Sequence, residues 1–131
     1  MTLRHPKSSA RHVFVIDDDA AVRNSIKFAL ELEGFEVRVY PSAQELPTED
    51  SIPSPGCLVV DYHMPDMNGL ELVAKLRERN KALPAVLITS PDANLRNRAA
   101  ALGVTMVDKP MLGDPLLNAV RAAFDGETTS P

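Results

Sequence analysis

The sequence lacks the cysteine pairs of disulfide-bonded proteins and the long apolar runs of membrane-spanning proteins. Its single cysteine, Cys57, excludes an internal disulfide and fits a reducing compartment. Because Cys57 opens an apolar stretch, we expect a small buried packing residue rather than a reactive thiol. No apolar run approaches the roughly 20 residues of a membrane span, and no signal-type apolar stretch precedes Asp17. The sequence therefore predicts a cytoplasmic protein that does not enter the membrane.

Positive charge is also scarce. The 14 lysines and arginines are outnumbered by 18 acidic residues, which gives a net charge of −4 at pH 7. A protein that binds nucleic acid or a membrane surface would carry a basic patch, so neither partner is expected. With 131 residues the chain is long enough for one core and too short for two domains. We expect a domain at 13–125, between a flexible leader at 1–12 and a flexible tail at 126–131.

Short apolar segments alternate with longer segments of helical periodicity. The apolar segments predict strands at 13–16, 57–60, 85–88 and 104–107, and the alternating segment 36–40 predicts an edge strand. The helical segments between and after them have candidate core positions that include Ile26, Ala29, Leu30, Val73, Ala74, Leu95, Ala99, Val120 and Phe124. A short helix is also expected after Ser42, through Leu46. Five such units predict an α/β fold with a parallel sheet and helices on both faces.

Strand order decides where a ligand would bind in such a fold. A common order for five strands is 2-1-3-4-5, the flavodoxin-like, doubly wound arrangement. It makes strands 1 and 3 neighbours, and ligands bind beyond the carboxyl ends of the strands at this switch point. The residues that directly follow each strand are therefore the candidates for binding a ligand.

Polar side chains stand where four of the predicted strands end. They are Asp17, Asp18 and Asp19 after strand 1, Asp61 after strand 3, Thr89 after strand 4 and Lys109 after strand 5. Each has a structural explanation on its own: Asp19 could cap a helix, Thr89 could be a turn residue, and Lys109 could be a solvated charge. Their convergence on one edge of the sheet indicates a functional site.

The residue types indicate phosphoryl chemistry. Neighbouring carboxylates repel by about 4 kcal/mol per pair at about 4 Å and an effective dielectric of about 20, and a divalent cation removes that repulsion. Carboxylate and carbonyl oxygens with room for waters suit Mg²⁺. With a cation in place, Asp61 is the natural nucleophile, and Thr89 and Lys109 can neutralise the phosphoryl oxygens.

Four motifs, VIDDD, VVDYHMPDMNG, LITS and VDKP, resemble in this order the motifs of response-regulator receiver domains, the phosphoacceptor half of two-component signalling. The resemblance covers residues 13–124. It implies that Asp61 is the phosphoacceptor and a metal ligand. Asp18 would bind Mg²⁺ directly, Asp17 would bind through a water, and the backbone carbonyl of His63 would complete the protein ligands. Mn²⁺ is a possible substitute for Mg²⁺.

The family's other site residues also have counterparts. Thr89 would hydrogen-bond the phosphoryl group, and Lys109 would pair with Asp61 and then with phosphate, before a cis peptide bond to Pro110. The resemblance implies a phosphohistidine donor, either a histidine kinase or a histidine phosphotransfer protein. It also implies a signalling switch that catalyses only its own phosphorylation and dephosphorylation.

Because the residues after Phe124 leave no room for an output domain, output is expected to run through an unknown downstream protein, or the molecule is a phosphate sink. The receiver is thus expected to stand alone, as a monomer or as a dimer linked to phosphorylation.

Some positions depart from the family pattern or remain open to two interpretations. Met106 stands where the family usually has an aromatic switch residue, the segment from Thr89 to Lys109 is slightly short, and Pro91 stiffens its beginning. The family's ordinary output face consists of the helix after strand 4, strand 5 and the last helix. These departures put in question whether this chain uses that face. His63 is either an exposed turn residue or a residue that tunes dephosphorylation.

Other functions fit parts of the sequence. A haloacid-dehalogenase-type phosphatase would use Asp17 as its nucleophile, but it leaves Asp61 unexplained. A degenerate receiver would bind a partner without being phosphorylated. A nucleotide-binding flavodoxin-like module is weaker, since no glycine-rich phosphate loop follows strand 1.

Overall fold

The computed structural model describes residues 11–45, 56–78, 83–90, 92–109 and 114–128. Pro91, Pro110, Leu46 and residues 1–10 and 129–131, on which some of the predictions fall, lie outside the described residues. The elements in chain order are β1 (His12–Ile16), α1 (Ala20–Leu32), β2 (Glu36–Tyr40), a 3₁₀ turn (Ala43–Glu45), β3 (Gly56–Asp61), α2 (Gly69–Arg77), β4 (Ala85–Thr89), α3 (Ala93–Ala101), β5 (Thr105–Asp108) and α4 (Asp114–Thr128).

The strands form one sheet in the order β2-β1-β3-β4-β5, and every pairing is parallel. This confirms the predicted flavodoxin-like, doubly wound α/β fold. The order places β1 and β3 side by side, with Ile16 opposite Val60. Because the chain leaves these two strands toward opposite sides of the sheet, their carboxyl ends border the switch point.

The sheet is covered on both faces, as expected for parallel strands rich in aliphatic residues. Alternate side chains of β1, β3 and β4 pack into two separate clusters. One cluster joins the sheet to α2 and α3 and includes Phe14, Ile16, Leu58, Val60, Leu87, Leu70, Val73, Leu95 and Ala99. The other joins it to α1 and α4 and includes Val13, Val15, Val59, Ile88, Ile26, Leu30, Val120 and Phe124. Every residue of β3 is buried, including the predicted packing residue Cys57.

Helices α1 and α3 begin at polar caps on the same edge of the sheet. Asp19 accepts hydrogen bonds from the N–H groups of Ala21 (2.9 Å) and Val22 (3.2 Å), and Asp92 accepts one from Leu95 N–H (3.1 Å). These caps satisfy N–H groups that the helices leave without an internal partner. Asp19 thus has the capping role considered from the sequence.

The first strand and the last helix extend slightly beyond the predicted domain at residues 13–125. Strand β1 begins at His12, and α4 continues to Thr128, past the predicted boundary at residue 125. The short helix expected after Ser42 is a 3₁₀ turn in its described part. None of the described helices combines the length and the apolar character that crossing a bilayer requires.

Candidate functional site

Three carboxylates meet where β1 and β3 end. Asp17 follows β1, and Asp61 is the last residue of β3, so the pairing of these strands sets the two residues side by side. One carboxylate oxygen from each of Asp17, Asp18 and Asp61 can be chosen so that all three lie within 4.8 Å of one another. Asp17 and Asp61 are 1% and 3% exposed, whereas Asp18 faces solvent. Two of the three carboxylates are therefore buried, and the third is accessible from solvent.

Asp17 is held on three sides. Its N–H donates to the carbonyl of Tyr40 (3.1 Å), and its Oδ1 accepts from Asp19 N–H (2.9 Å). Its backbone carbonyl accepts from the guanidinium of Arg23 (2.7 Å). Its second carboxylate oxygen, Oδ2, is buried and has no hydrogen-bond partner among the described residues. A buried, unpaired carboxylate oxygen is costly, which makes this atom a candidate cation ligand.

The electrostatics of Asp17 reflect this position. Burial raises the pKa of Asp17 to about 6, against the opposing hydrogen bond from Asp19 N–H and with added repulsion from Asp61. The ionised carboxylate is therefore disfavoured by its surroundings. A bound divalent cation would reverse this preference, because it supplies the positive charge that the group lacks.

Asp61 faces an ammonium group on its other side. Lys109 Nζ lies 2.9 Å from Asp61 Oδ1, at ion-pair distance but outside the angular range of a directed hydrogen bond. Burial alone lowers the pKa of Lys109, but the contact with Asp61 and the neighbouring negative charges outweigh it, so the pKa lies above its ordinary value. Lys109 is thus a stable cation at neutral pH beside the carboxylate.

The ends of β4 and β5 bring Thr89 and Lys109 to the same edge. Tyr62 N–H donates to the carbonyl of Ile88 (2.9 Å), which keeps β3 and β4 paired to their ends. Lys109 N–H donates to the carbonyl of Thr89 (2.7 Å), which ties the end of β5 to the end of β4. Thr89 is 1% exposed and stands one residue beyond Ile88, which pairs with Asp61. The Lys109 ammonium therefore adjoins the carboxylate group, and Thr89 stands at the same edge of the sheet.

The sequence model of the response regulator receiver domain matches residues 13–121. The chain belongs to this family. The transcriptional regulatory protein FixJ of Bradyrhizobium diazoefficiens is 36% identical over 117 residues, which cover 86% of this chain and 56% of FixJ. The C4-dicarboxylate transport transcriptional regulatory protein DctD of Pseudomonas aeruginosa is 34% identical over 122 residues, 92% of this chain and 26% of DctD.

Solved structures agree with this assignment. The crystal structure of FixJ-N superposes with a TM-score of 0.79 at 28% identity, covering 89% of this chain and 95% of that one. The receiver described here spans about half the length of FixJ and about a quarter of DctD. It is therefore a receiver domain of two-component response regulators, a class of signalling switches.

The remaining sequence-predicted residues differ in their burial and their contacts. His63 is exposed, and its ring meets the Tyr62 ring edge-on at 4.9 Å. Met106 is half-buried against the cluster that joins the sheet to α2 and α3, and it pairs with Leu87 of β4. In the chain, His63 follows Asp61 by two residues and Met106 precedes Lys109 by three. Pro91, the third residue expected to modulate the site, is not among the described residues.

Sequence reasoning missed some of the residues that shape the receiver site. Asn68 and Glu71 form a reciprocal cap that begins α2, and their spacing of three residues is a recognisable signal. A Cβ added to Gly69 would lie 2.7 Å from Leu87 Cδ1 and 2.8 Å from the carbonyl oxygen of Asp61. The asparagine–glycine pair signals a turn, but nothing in the sequence signals this close approach. The sequence also gives no signal for the hydrogen bond from Arg23 to the backbone carbonyl of Asp17.

Proposed function

We propose that this receiver accepts a phosphoryl group on Asp61 from a phosphohistidine donor in a Mg²⁺-dependent reaction. The donor would be a histidine kinase or a histidine phosphotransfer protein of a two-component or phosphorelay system. The observation that carries the proposal is the position of Asp61, a 3% exposed carboxylate set between two further carboxylates and a lysine ammonium. In this family such a residue is the acceptor.

The donor set fits a magnesium ion. Three carboxylates offer oxygens within 4.8 Å of one another, and Asp17 Oδ2 is buried without a partner among the described residues. We propose Asp18 and Asp61 as direct ligands, Asp17 as a ligand through water, and the backbone carbonyl of His63 as the last protein ligand. Mn²⁺, which also accepts oxygen ligands, would substitute. When bound, the cation supplies charge neutralisation for the acceptor and the incoming phosphoryl group.

The chain's own residues account for the transfer step. A carboxylate oxygen of Asp61 forms a bond to phosphorus while the bond from phosphorus to the donor's imidazole nitrogen breaks, and that nitrogen keeps the electron pair. Lys109 Nζ is 2.9 Å from Asp61 Oδ1 before the transfer. After the transfer it would form an ion pair with the negatively charged phosphoryl oxygens. Thr89 would donate its hydroxyl hydrogen to one of these oxygens. The family's mechanism and this placement support both roles.

Output is proposed to run through a partner protein, with the receiver acting as a switch and turning over no metabolite. FixJ and DctD are described as transcriptional regulatory proteins, a description that belongs to those longer proteins. We propose that the receiver itself binds no nucleic acid, since its net charge is −4. A cytoplasmic location and a monomer, or a dimer formed on phosphorylation, complete the proposal.

The nearby residues His63, Met106 and Pro91 are proposed to modulate the switch. His63 is exposed two residues after Asp61, where its side chain could contact or exclude the water that hydrolyses the acyl phosphate. His63→Ala is then expected to change the lifetime of phospho-Asp61, and an unchanged hydrolysis rate would reject this role. Met106, which is half-buried, would take the place of the family's aromatic residue with a flexible side chain.

Intact-mass spectrometry after incubation with small phosphodonors tests the proposed function. Acetyl phosphate tests the acceptor, and phosphoramidate, with its phosphorus–nitrogen bond, imitates phosphohistidine. The wild-type protein should gain one phosphoryl group with Mg²⁺ and none with EDTA, and Asp61→Asn should gain none. Glu45→Gln, a change at an exposed carboxylate, should behave as wild type.

Two other outcomes would contradict the proposal. If the wild-type protein gains no mass with either acetyl phosphate or phosphoramidate, the result would indicate the degenerate receiver, which only binds a partner. Persistent labelling of Asp61→Asn with complete loss in Asp17→Asn would indicate the nucleophile of the phosphatase alternative, although membership of the receiver family argues against it.

A further inference from the structure

Arg23 of α1 lies close to the acidic group, and the chemistry proposed above gives it no role. Its guanidinium donates a hydrogen bond of 2.7 Å to the backbone carbonyl of Asp17. We propose that Arg23 is a positioning residue for the metal site: it fixes the peptide between Asp17 and Asp18 and thereby orients the Asp18 carboxylate toward the cation. The inference rests on the proposed function, because it assumes that Asp18 binds the metal.

The backbone around Asp17 explains why a single contact has this effect. The N–H of Asp17 is fixed by the Tyr40 carbonyl, and Asp19 N–H returns to Asp17 Oδ1. The carbonyl of Asp17, one residue past the end of β1, accepts its hydrogen bond from the guanidinium of Arg23. A peptide group is planar, so holding its carbonyl also fixes the direction in which Asp18 leaves the strand.

Asp18 depends on that backbone because no hydrogen bond or ion pair within the described part of the chain holds its side chain. The residue is also exposed to solvent. The buried Asp17 and Asp61 are restrained by their surroundings, through the Asp19 hydrogen bond and the Lys109 ion pair respectively. Of the three carboxylates, Asp18 is therefore the one whose placement is most sensitive to a change at Arg23.

A competing role for Arg23 is purely electrostatic, and it predicts the opposite sign. If the guanidinium acted only as a nearby positive charge, its removal would strengthen binding of a divalent cation, because it would remove a like-charge repulsion. If Arg23 positions a ligand, its removal weakens binding despite that gain. Groups that orient metal ligands typically contribute about 10- to 100-fold to metal affinity.

Binding of Mn²⁺, followed by the loss of the electron paramagnetic resonance signal of the free ion, measures this effect. The method needs no phosphodonor, and it suits a chain without tryptophan. We expect Arg23→Met to lower Mn²⁺ affinity about tenfold, and Arg23→Lys, which can donate to the same carbonyl, to restore most of it. Arg38→Met, at an exposed arginine of β2, should leave the affinity unchanged.

A double-mutant cycle with Asp18→Asn tests the route of the effect. In the Asp18→Asn protein, Arg23→Met should lower Mn²⁺ affinity by much less than tenfold, because the ligand that Arg23 orients is already altered. Thermal unfolding without divalent cations shows whether each variant folds. If Arg23→Met does not fold, Arg23→Gln takes its place, since its shorter side chain also loses the carbonyl contact.

The outcomes separate this inference from the proposed function. Unchanged or tighter Mn²⁺ binding by a folded Arg23→Met protein, or an equal loss with and without Asp18, would overturn the positioning role. A wild-type protein that binds no Mn²⁺ would instead overturn the proposed metal site. The expected pattern is weakened binding in Arg23→Met, recovery in Arg23→Lys, and dependence on Asp18.

Discussion

At the scale of single residues, Asp17 combines burial with an unsatisfied charge. It is 1% exposed, and its Oδ2 has no hydrogen-bond partner among the described residues. Without a cation, this carboxylate lowers the stability of the fold because it is buried beside Asp61, another negative charge. The Asp19 hydrogen bond and the Lys109 charge offset part of this cost, and a bound cation would offset more of it.

Replacement of this carboxylate should therefore stabilise the metal-free protein. We expect Asp17→Asn to raise the free energy of unfolding by about 1–3 kcal/mol at neutral pH, since an amide removes the charge and keeps an oxygen that accepts from Asp19 N–H. Urea unfolding in EDTA measures the change. Glu36→Gln, at an exposed carboxylate of β2, is the control, with a change within about 0.5 kcal/mol. A destabilised Asp17→Asn protein would contradict this account.

Gly69 is a second residue whose role depends on its surroundings. Gly69→Ala would bring a Cβ within 2.7 Å of Leu87 Cδ1 and 2.8 Å of the Asp61 carbonyl oxygen. We expect a loss of about 1–3 kcal/mol in unfolding free energy and slower phosphorylation, because the backbone of Asp61 must shift. Chemical unfolding and labelling rates with acetyl phosphate measure both effects.

Gly34→Ala provides a comparison for Gly69→Ala. The backbone angle φ at Gly34 is +97°, but an added Cβ would meet nothing within 4 Å. This variant should be destabilised by backbone strain alone, and its phosphorylation rate should match wild type. Equal labelling rates in both glycine variants would show that Gly69 does not shape the acceptor site.

The sequence predicted the convergence of Asp17, Asp61 and Lys109 because each stands at the end of a strand. In a parallel sheet the carboxyl ends of all the strands lie along one edge, so residues that directly follow different strands meet there. The contact of Arg23 could not be predicted in this way. A long side chain reaches its partner along a path that depends on packing and has no fixed spacing in the sequence.

At the scale of elements, the strands were easier to predict than the helix faces. Strands buried on both faces appear as continuous apolar runs, whereas the edge strand β2 was predicted from its alternation of apolar and polar residues. The helix faces were predicted less well: Ala29 and Ala74, expected in the core, are exposed, whereas Leu72, not among those core positions, is 3% exposed. Alanine is small enough to occupy either face, so it carries little information about burial.

The contact between α3 and the end of β5 gives an element-scale prediction. Arg96 Nη2 lies 3.3 and 3.2 Å from the two carboxylate oxygens of Asp108, the residue before Lys109. Because these side chains are 54% and 35% exposed, their coupling should be below about 1 kcal/mol and should decrease with salt. A double-mutant cycle with Arg96→Ala and Asp108→Ala measures it by urea unfolding.

Arg98→Ala, at an exposed arginine of the same helix, controls for the loss of a long side chain. A coupling above about 2 kcal/mol, well outside the range of exposed ion pairs, would show that this contact fastens α3 to the sheet. It would then be a structural contact between α3 and β5 rather than a surface pair.

At the scale of the whole molecule, the acidic site should couple metal binding to stability. A cation that binds only the folded chain stabilises it by about 2.7 kcal/mol at 100 times its dissociation constant. We expect the melting temperature of wild type to rise with Mg²⁺ concentration and that of Asp18→Asn to change little. Asp18 is exposed, so its replacement should leave the metal-free fold intact. Equal responses of the two proteins to Mg²⁺ would exclude Asp18 as a ligand.

The most direct test of the account is to locate the phosphoryl group on the chain. After treatment with acetyl phosphate and Mg²⁺, borohydride reduction converts an aspartyl phosphate to homoserine, which peptide mass spectrometry can assign to a residue. The account predicts homoserine at Asp61 and unmodified aspartate at Asp17 and Asp18. Homoserine at Asp17, or a fully unmodified chain despite an active donor, would contradict it.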